Sequence, residues 1–145
     1  MHSFSAHHLH QQFLQGELSA KEIIEATFKR IDRLDPKIGA FLSLFTERAV
    51  AKAEMLDEKR ARKEKIGRLA AIPIAFKDNI NVLGEKMTCG SQFLSNYTSV
   101  FDATVTRLIE EEDALIIGKT NMDSNGHDSP TSCAGRQRGR LRCGR

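Results

Sequence analysis

The residues best suited to chemistry in this sequence follow a short apolar run. The run "AAIPIAF" ends at Phe76, and Lys77, Asp78 and Asn79 come directly after it. If the amine of Lys77 is desolvated, its pKa is lowered and it can act as a base at neutral pH. If the side chain instead extends its ammonium into solvent, Lys77 is an ordinary lysine at the end of a strand. The residues alone leave both interpretations open.

The cysteines and histidines form neither a disulfide nor a metal-binding pattern. The three cysteines are Cys89, Cys133 and Cys143. Their odd number and the lack of a C-x-x-C pair argue against a disulfide framework and a zinc site. The N-terminal histidines are His7, His8 and His10. They lack partners at the spacing of zinc ligands, so we interpret them as an exposed polar helix face.

Two N-terminal helices are predicted from their capping residues. Ser5 can cap a short first helix that stops near Gly16. Ser19 and Glu22 stand three apart, which is the capping-box spacing in which each side chain satisfies a free backbone donor of the other. The apolar residues behind this box recur at helical spacing, and we expect Pro36 to end the second helix.

A third helix is predicted from about Glu47. We expect its inward-facing residues to be Val50, Ala53 and either Met55 or Leu56. The helix leads into the charged stretch "DEKRARKEK", residues 57–65, which we interpret as a solvated surface segment rather than a binding patch.

The pattern changes to strands after Gly67. Residues 72–76 and 114–118 are short, apolar and rich in branched side chains, as buried strands are. Between them, Asp102 can cap a helix over "ATVTRLIEEED", with one apolar face. The residues of that face are Val105, Leu108 and Ile109. N-terminal helices followed by strand, loop, helix and strand predict an α/β fold.

Charge is distributed unevenly along the 145 residues. The formal net charge is +3, yet residues 124–145 hold five arginines against the single acid Asp128, so residues 1–123 carry −1. The body therefore shows no basic nucleic-acid face. No apolar run approaches the roughly 18 residues that span a bilayer, and no signal-peptide pattern opens the chain. We therefore expect a cytoplasmic protein without membrane association.

Three blocks carry a family resemblance. They are "GRLAAIPIAFKDNINVLG", "TCGS" at residues 88–91, and "FDATVTRLIEEEDALIIGKTNMD". Together with "LSAKEIIEATFKRID" near the N-terminus, they resemble the amidase signature family over residues 4–123. The resemblance implies that residues 1–123 form the N-terminal helices and the first strands and helix of that family's mixed sheet, which is incomplete here.

The resemblance also implies a catalytic role for Lys77. In this family the lysine of the K-D-N block belongs to a Ser–cis-Ser–Lys triad, and it corresponds here to Lys77. A neutral lysine accepts a proton from a bridging serine, which in turn activates the nucleophilic serine. Asp78 and Asn79 are expected to fix the turn and satisfy backbone groups. Cys89 matches a position that is not a nucleophile in the family, so we expect a small loop residue.

Within the family, the sequence is most similar to the glutamine-hydrolysing subunits of tRNA-dependent amidotransferases. Such a subunit supplies ammonia to a partner subunit, which uses ATP and magnesium to convert Glu-tRNA(Gln) to Gln-tRNA(Gln), and in some members to amidate Asp-tRNA(Asn). The implied partners are the other subunits, glutamine and charged tRNA, with no cofactor in this chain. A fragment of a stand-alone amidase and a non-catalytic, partner-binding fragment are the alternatives.

The sequence departs from the family after Asp123. The Gly- and Ser-rich segment that carries both triad serines has no counterpart here, and Ser124, Ser129 and Ser132 match neither position. We therefore expect a truncated chain that is inactive alone. Residues 124–145 are predicted to be a disordered basic tail. Reading plausible codons one base later yields family-like residues, so we interpret the tail as frame-shifted; an RNA-binding arm is the competing interpretation.

Overall fold

The computed structural model describes residues 5–122, and the predicted tail over residues 124–145 lies outside that range. Four helices and three strands follow one another along the described chain. They are α1 (Ala6–Gln15), α2 (Ala20–Ile38), β1 (Phe41–Leu44), α3 (Thr46–Ala61), β2 (Pro73–Lys77), α4 (Thr104–Glu111) and β3 (Leu115–Thr120). The mixed α/β fold predicted from the sequence is confirmed.

Both predicted N-terminal caps are present. The Ser5 hydroxyl accepts a hydrogen bond from the His8 N–H, and α1 ends at Gly16 in the left-handed region. Ser19 and Glu22 form the predicted capping box at the start of α2. The expected end of α2 at Pro36 was wrong. Pro36 lies inside the helix, which continues to Ile38 and closes at Gly39.

The three strands form a mixed sheet in the order β1-β3-β2. The central strand β3 runs antiparallel to β1 and parallel to β2. The two predicted strands correspond to β2 and β3, whereas β1 was not predicted because its four residues carry no clear alternation. Gly118 of β3 is required by close packing, since a Cβ there would lie 2.3 Å from the Ser43 carbonyl oxygen.

Two apolar clusters flank the sheet. The larger one joins the helical layer to Leu115 and Ile117 of β3, and its largest fully buried member is Phe13 of α1. The smaller one joins Phe76 of β2 and Ile116 of β3 to residues outside the sheet. The other members are Phe45 and Val82, with Ile74, Ile80 and Ile109 packed against them. The smaller cluster therefore holds the loop after β2 against the sheet.

The inner face of α3 is partly as predicted, and its charged end is not merely solvated. Ala53 and Leu56 are buried while Met55 is 64% exposed, which decides between the two expected alternatives. In the charged stretch, both carboxylate oxygens of Asp57 accept backbone N–H bonds at the start of α2. Arg60 lies over the Phe13 ring, 4.6 Å from its centroid. This stretch therefore binds the helices together.

The predicted cap of α4 was wrong, and its apolar face is only partly buried. Ala103, not Asp102, occupies the cap position, and the Asp102 carboxylate accepts the Leu83 N–H at 2.7 Å instead. Of the three residues expected on one apolar face, Ile109 packs against the smaller cluster, whereas Val105 is 43% and Leu108 50% exposed. The Thr106 hydroxyl donates to the Asn81 carbonyl at 2.7 Å, so α4 is anchored to the loop by a polar contact.

Candidate functional site

The candidate site lies where the parallel strands β2 and β3 end. Carboxyl ends of parallel strands meet at one edge of a sheet, which is where α/β proteins commonly place ligands. Lys77 is the last residue of β2 and stands opposite Thr120, the last residue of β3. One residue earlier, Phe76 stands opposite Lys119. Two lysines, one from each strand, therefore reach this edge.

Lys77 is half-buried at the end of β2. Alternation along the strand places it on the face opposite to Phe76, which is 4% exposed in the smaller cluster. The backbone around it is fixed, since the Lys77 carbonyl accepts the Ile80 N–H at 3.0 Å. Its catalytic role stays a prediction from the family pattern.

Asp78 is buried and organises the loop that follows. It is 2% exposed, and its carboxylate accepts the Thr88 N–H at 3.0 Å and a second bond from the Thr88 hydroxyl. Its own N–H donates to the Thr120 carbonyl at 3.1 Å. Asp78 thus satisfies backbone groups, as expected, while its neighbour Asn79 is exposed. These bonds tie Thr88 and the turn around it to the sheet edge.

Lys119 is the more deeply buried of the two lysines. It is 1% exposed, and its ammonium donates a hydrogen bond to the Ile80 carbonyl. Burial lowers the pKa of Lys119, and the negative charge of Asp78, followed by weaker effects of Cys89 and Glu85, opposes that shift. Sequence reasoning missed this residue. The available signal was the second Lys-x-Asn at the end of an apolar strand, residues 119–121.

The loop after the lysine–aspartate–asparagine block is held by polar contacts from several elements. The Asn81 carbonyl accepts both the Ala103 N–H and the Thr106 hydroxyl. The Leu83 carbonyl accepts a bond from Arg48, whose guanidinium also pairs with Glu110 at 2.7 Å. Because buried backbone groups need partners, this satisfied network argues for one defined loop conformation.

Cys89 occupies the loop that Asp78 ties down. Its φ is 50°, in the left-handed region that few residues other than glycine adopt, and Gly90 follows with φ 66°. The Thr88 hydroxyl accepts the Gly90 N–H at 3.2 Å, which closes this tight turn. Within residues 5–122, no group of histidine, cysteine or acidic residues is arranged to hold a metal ion.

No helix between residues 5 and 122 is long and apolar enough to cross a membrane.

A comparison with known families defines the class of protein. The family model described as Amidase matches residues 22–138, which is most of the chain. The chain therefore belongs to the amidase family, and the resemblance stated from its sequence blocks is confirmed.

Among curated proteins, the chain is similar to the A subunit of glutamyl-tRNA(Gln) amidotransferase. It is 47% identical to that protein of Fusobacterium nucleatum and 48% identical to that of Protochlamydia amoebophila, each over 131 residues. These matches cover 90% of this chain and 27% of either relative. The chain thus spans about a quarter of the length of these relatives, in their N-terminal part.

Solved structures share the fold. A bacterial aryl acylamidase of the amidase signature enzymes superposes with a TM-score of 0.80 at 26% identity, covering 84% of this chain and 26% of that one. The peptide amidase of Stenotrophomonas maltophilia superposes with a TM-score of 0.76 at 29% identity, covering 83% of this chain and 25% of that one. The described residues therefore have the geometry of the corresponding part of these amidases.

Proposed function

We propose that this chain is the N-terminal part of a glutamine-hydrolysing component of a tRNA-dependent amidotransferase. The observation that carries the proposal is the 47% identity to the Fusobacterium nucleatum amidotransferase protein over 131 residues, which include the lysine block at the end of β2. In this proposal the component releases ammonia from glutamine. Partner proteins in the cytoplasm use that ammonia, with ATP and magnesium, to amidate Glu-tRNA(Gln) or Asp-tRNA(Asn).

In this proposal, Lys77 has the role of the base in a Ser–cis-Ser–Lys triad. Its half-buried position at the carboxyl end of β2, in the block that matches the lysine–aspartate–asparagine motif of the family, supports this assignment. In the family mechanism, that amine accepts the proton of a bridging serine, and the serine accepts that of the nucleophile. The nucleophile then forms an acyl-enzyme with the glutamine side chain, and backbone N–H groups hold the oxyanion.

The 145 residues contain no Gly- and Ser-rich segment of the family type, so they supply one member of the triad. We therefore propose that the chain alone turns over no glutamine. The fragment of a stand-alone amidase remains the second candidate, favoured by the likeness to the aryl acylamidase and the peptide amidase.

A chimera tests the proposal. Residues 5–122 replace the matching segment of the Fusobacterium nucleatum relative, and glutamine hydrolysis and Glu-tRNA(Gln) amidation are measured with its partner proteins present. We expect an active chimera, and we expect Lys77→Met to lower turnover by about 10³-fold or more because the triad acts as a unit. Lys65→Met is the matched control, since Lys65 is exposed on the loop between α3 and β2.

The outcomes separate the candidates. An active chimera whose Lys77→Met variant keeps its turnover contradicts the role of Lys77. A chimera that hydrolyses simple amides but supports no tRNA amidation favours the stand-alone amidase. Glutamine turnover by the unmodified 145-residue chain contradicts the proposal that it lacks essential groups.

A further inference from the structure

The buried side chain of Lys119 extends from β3 to the loop after β2. Lys119 is 1% exposed, on the face of the sheet shared with Phe76, and its amine reaches the Ile80 carbonyl. Phe76 and Ile80 both belong to the smaller apolar cluster or pack against it. A methionine would fill this space without the cost of burying a charge. The lysine must therefore contribute through its hydrogen bond and its charge.

Within residues 5–122, the bond from Lys119 and a backbone bond attach the turn after Lys77 to β3. The Asp78 N–H donates to the carbonyl of Thr120, and the Ile80 carbonyl accepts from Lys119. The turn is thus held on both sides of Asn79 by consecutive residues of one strand. The Ile80 N–H closes the turn on the carbonyl of Lys77 itself.

Charge complementarity supports the same arrangement. Asp78 and Lys119 are both almost completely buried, and the negative charge of Asp78 offsets part of the desolvation that lowers the pKa of Lys119. The other titratable groups that act on Lys119 are Cys89 and Glu85. A buried charge is tolerated when an opposite charge and hydrogen bonds compensate it, and here both come from the turn that follows Lys77.

We propose that Lys119 is a positioning residue for Lys77, because its ammonium bonds to the Ile80 carbonyl in the turn that follows Lys77, while the next residue of β3, Thr120, holds the Asp78 N–H. The inference rests on the proposed role of Lys77 as the base of the amidase site. According to this inference, Lys119 of β3 fixes the backbone turn after Lys77, and this turn sets the position of the Lys77 amine. Lys119 itself touches no reacting atom.

Amide hydrogen exchange on the 145-residue chain tests the structural half of this inference. In Lys119→Met, we expect exchange at Asp78, Ile80 and Thr88 to rise at least tenfold relative to the amides of α2 and α3. The matched control is Lys59→Met, which removes a lysine bonded to buried Asp113 in another part of the fold. An equal rise throughout the helices, or none in the turn, overturns the inference.

The reactivity of the Lys77 amine tests the positioning half. Trace acetylation at several pH values gives the rate at Lys77 relative to exposed Lys65. We expect Lys119→Met to change this ratio at least threefold and alter its pH profile, and Lys119→Arg to restore part of both. A ratio that stays constant overturns the positioning role, since a residue that only stabilises the fold leaves Lys77 unchanged.

Neither readout depends on turnover, so the result is separable from the proposed function. If the chimera proves inactive while exchange and acetylation change as expected, the amidase role fails and the coupling between Lys119 and Lys77 stands. If Lys119→Met does not fold, Lys119→Gln replaces it, because its carboxamide carries no charge and its nitrogen ends one bond short of the position of the lysine amine, which weakens the bond to Ile80. The same two ratios then confirm or overturn the inference.

Discussion

The opposed charges of Asp78 and Lys119 make a sharp prediction about stability. Both side chains are almost inaccessible to water, at 2% and 1% exposure. The perturbation is a double-mutant cycle of Asp78→Asn, Lys119→Met and the two together. Asparagine retains an oxygen that can accept from Thr88, so Asp78→Asn removes the charge with little loss of packing.

The expected magnitudes follow from what each single substitution leaves behind. Asp78→Asn leaves a buried ammonium without its opposing charge, and Lys119→Met leaves a buried carboxylate and an unpaired Ile80 carbonyl. Removing one partner of a buried charge pair costs about 3–5 kcal/mol. Because Asp78 keeps its bonds from Thr88, we expect about 3 kcal/mol for each single variant. The double variant buries neither charge, so it should cost about 2 kcal/mol less than the sum.

Urea denaturation followed by circular dichroism measures the free energy of unfolding of all four chains at pH 7. The m-values must agree for the differences to be compared, because a changed slope signals a changed unfolded or native state. The matched control is the same cycle on the exposed pair Lys21 and Glu54, whose 2.8 Å contact should couple only weakly because solvent screens exposed charges.

Additivity would refute this reasoning. If the cost of the double variant equals the sum of the two single costs to within about 0.5 kcal/mol, the two charges do not interact. The ammonium of Lys119 is then held by the Ile80 carbonyl alone. If Lys119→Met is neutral or stabilising, the hydrogen bond does not outweigh the burial of the charge.

Three further predictions concern single positions. Burial raises the pKa of Asp113, but hydrogen bonds from Lys59 and the Gly67 N–H and the nearby lysine charges outweigh it, so the pKa is lowered. Stability from this carboxylate is therefore complete above its unfolded value of about 3.8 and is lost as pH falls through the lower folded pKa. Asp113→Asn should cost about 1–3 kcal/mol at pH 7, and chemical denaturation should show the difference shrinking below about pH 4. Gly118→Ala should cost about 3 kcal/mol or more because its Cβ meets a backbone oxygen. Ser19→Ala should cost about 1 kcal/mol through loss of the capping box, measured by thermal unfolding.

Each of these has a contradicting result. A constant difference between wild type and Asp113→Asn from pH 7 to pH 3 contradicts the lowered pKa. For Gly118, the control is Gly16→Ala, where φ is +79° but no atom lies within 4 Å of the added Cβ. If both substitutions lower the free energy of unfolding equally, backbone strain rather than the clash determines the cost of Gly118→Ala. An unchanged midpoint in Ser19→Ala would show that the box adds nothing to α2.

Local signals in the sequence predicted local features well. The capping box of α2 and the buried strands β2 and β3 depend on residues within a few positions of one another. Pro36 failed as a stop signal because the helix end is set three residues later, where left-handed Gly39 donates its N–H to the Asp35 carbonyl. Asp102 failed as a cap because a tertiary partner, the Leu83 N–H, takes its carboxylate.

The two lysines of the candidate site show the same difference between local and tertiary signals. Lys77 was found because its block resembles a family motif, and its place at the end of β2 follows from the apolar run before it. Lys119 was missed because its burial depends on a register shift between Ile74 and Ala75, which sets it opposite Phe76. A one-residue shift decides which face a side chain occupies, and only the three-dimensional pairing reveals it.

The position of β3 in the sheet has a consequence for synthesis on the ribosome. Both outer strands pair with β3 and not with each other, although β3 is the last of the three to be made. A nascent chain can thus assemble α2 and α3 early, but it holds β1 and β2 without hydrogen-bonding partners until Leu115 emerges. Translation speed across the codons just before that residue should therefore decide how long two unpaired strands remain open to chaperones.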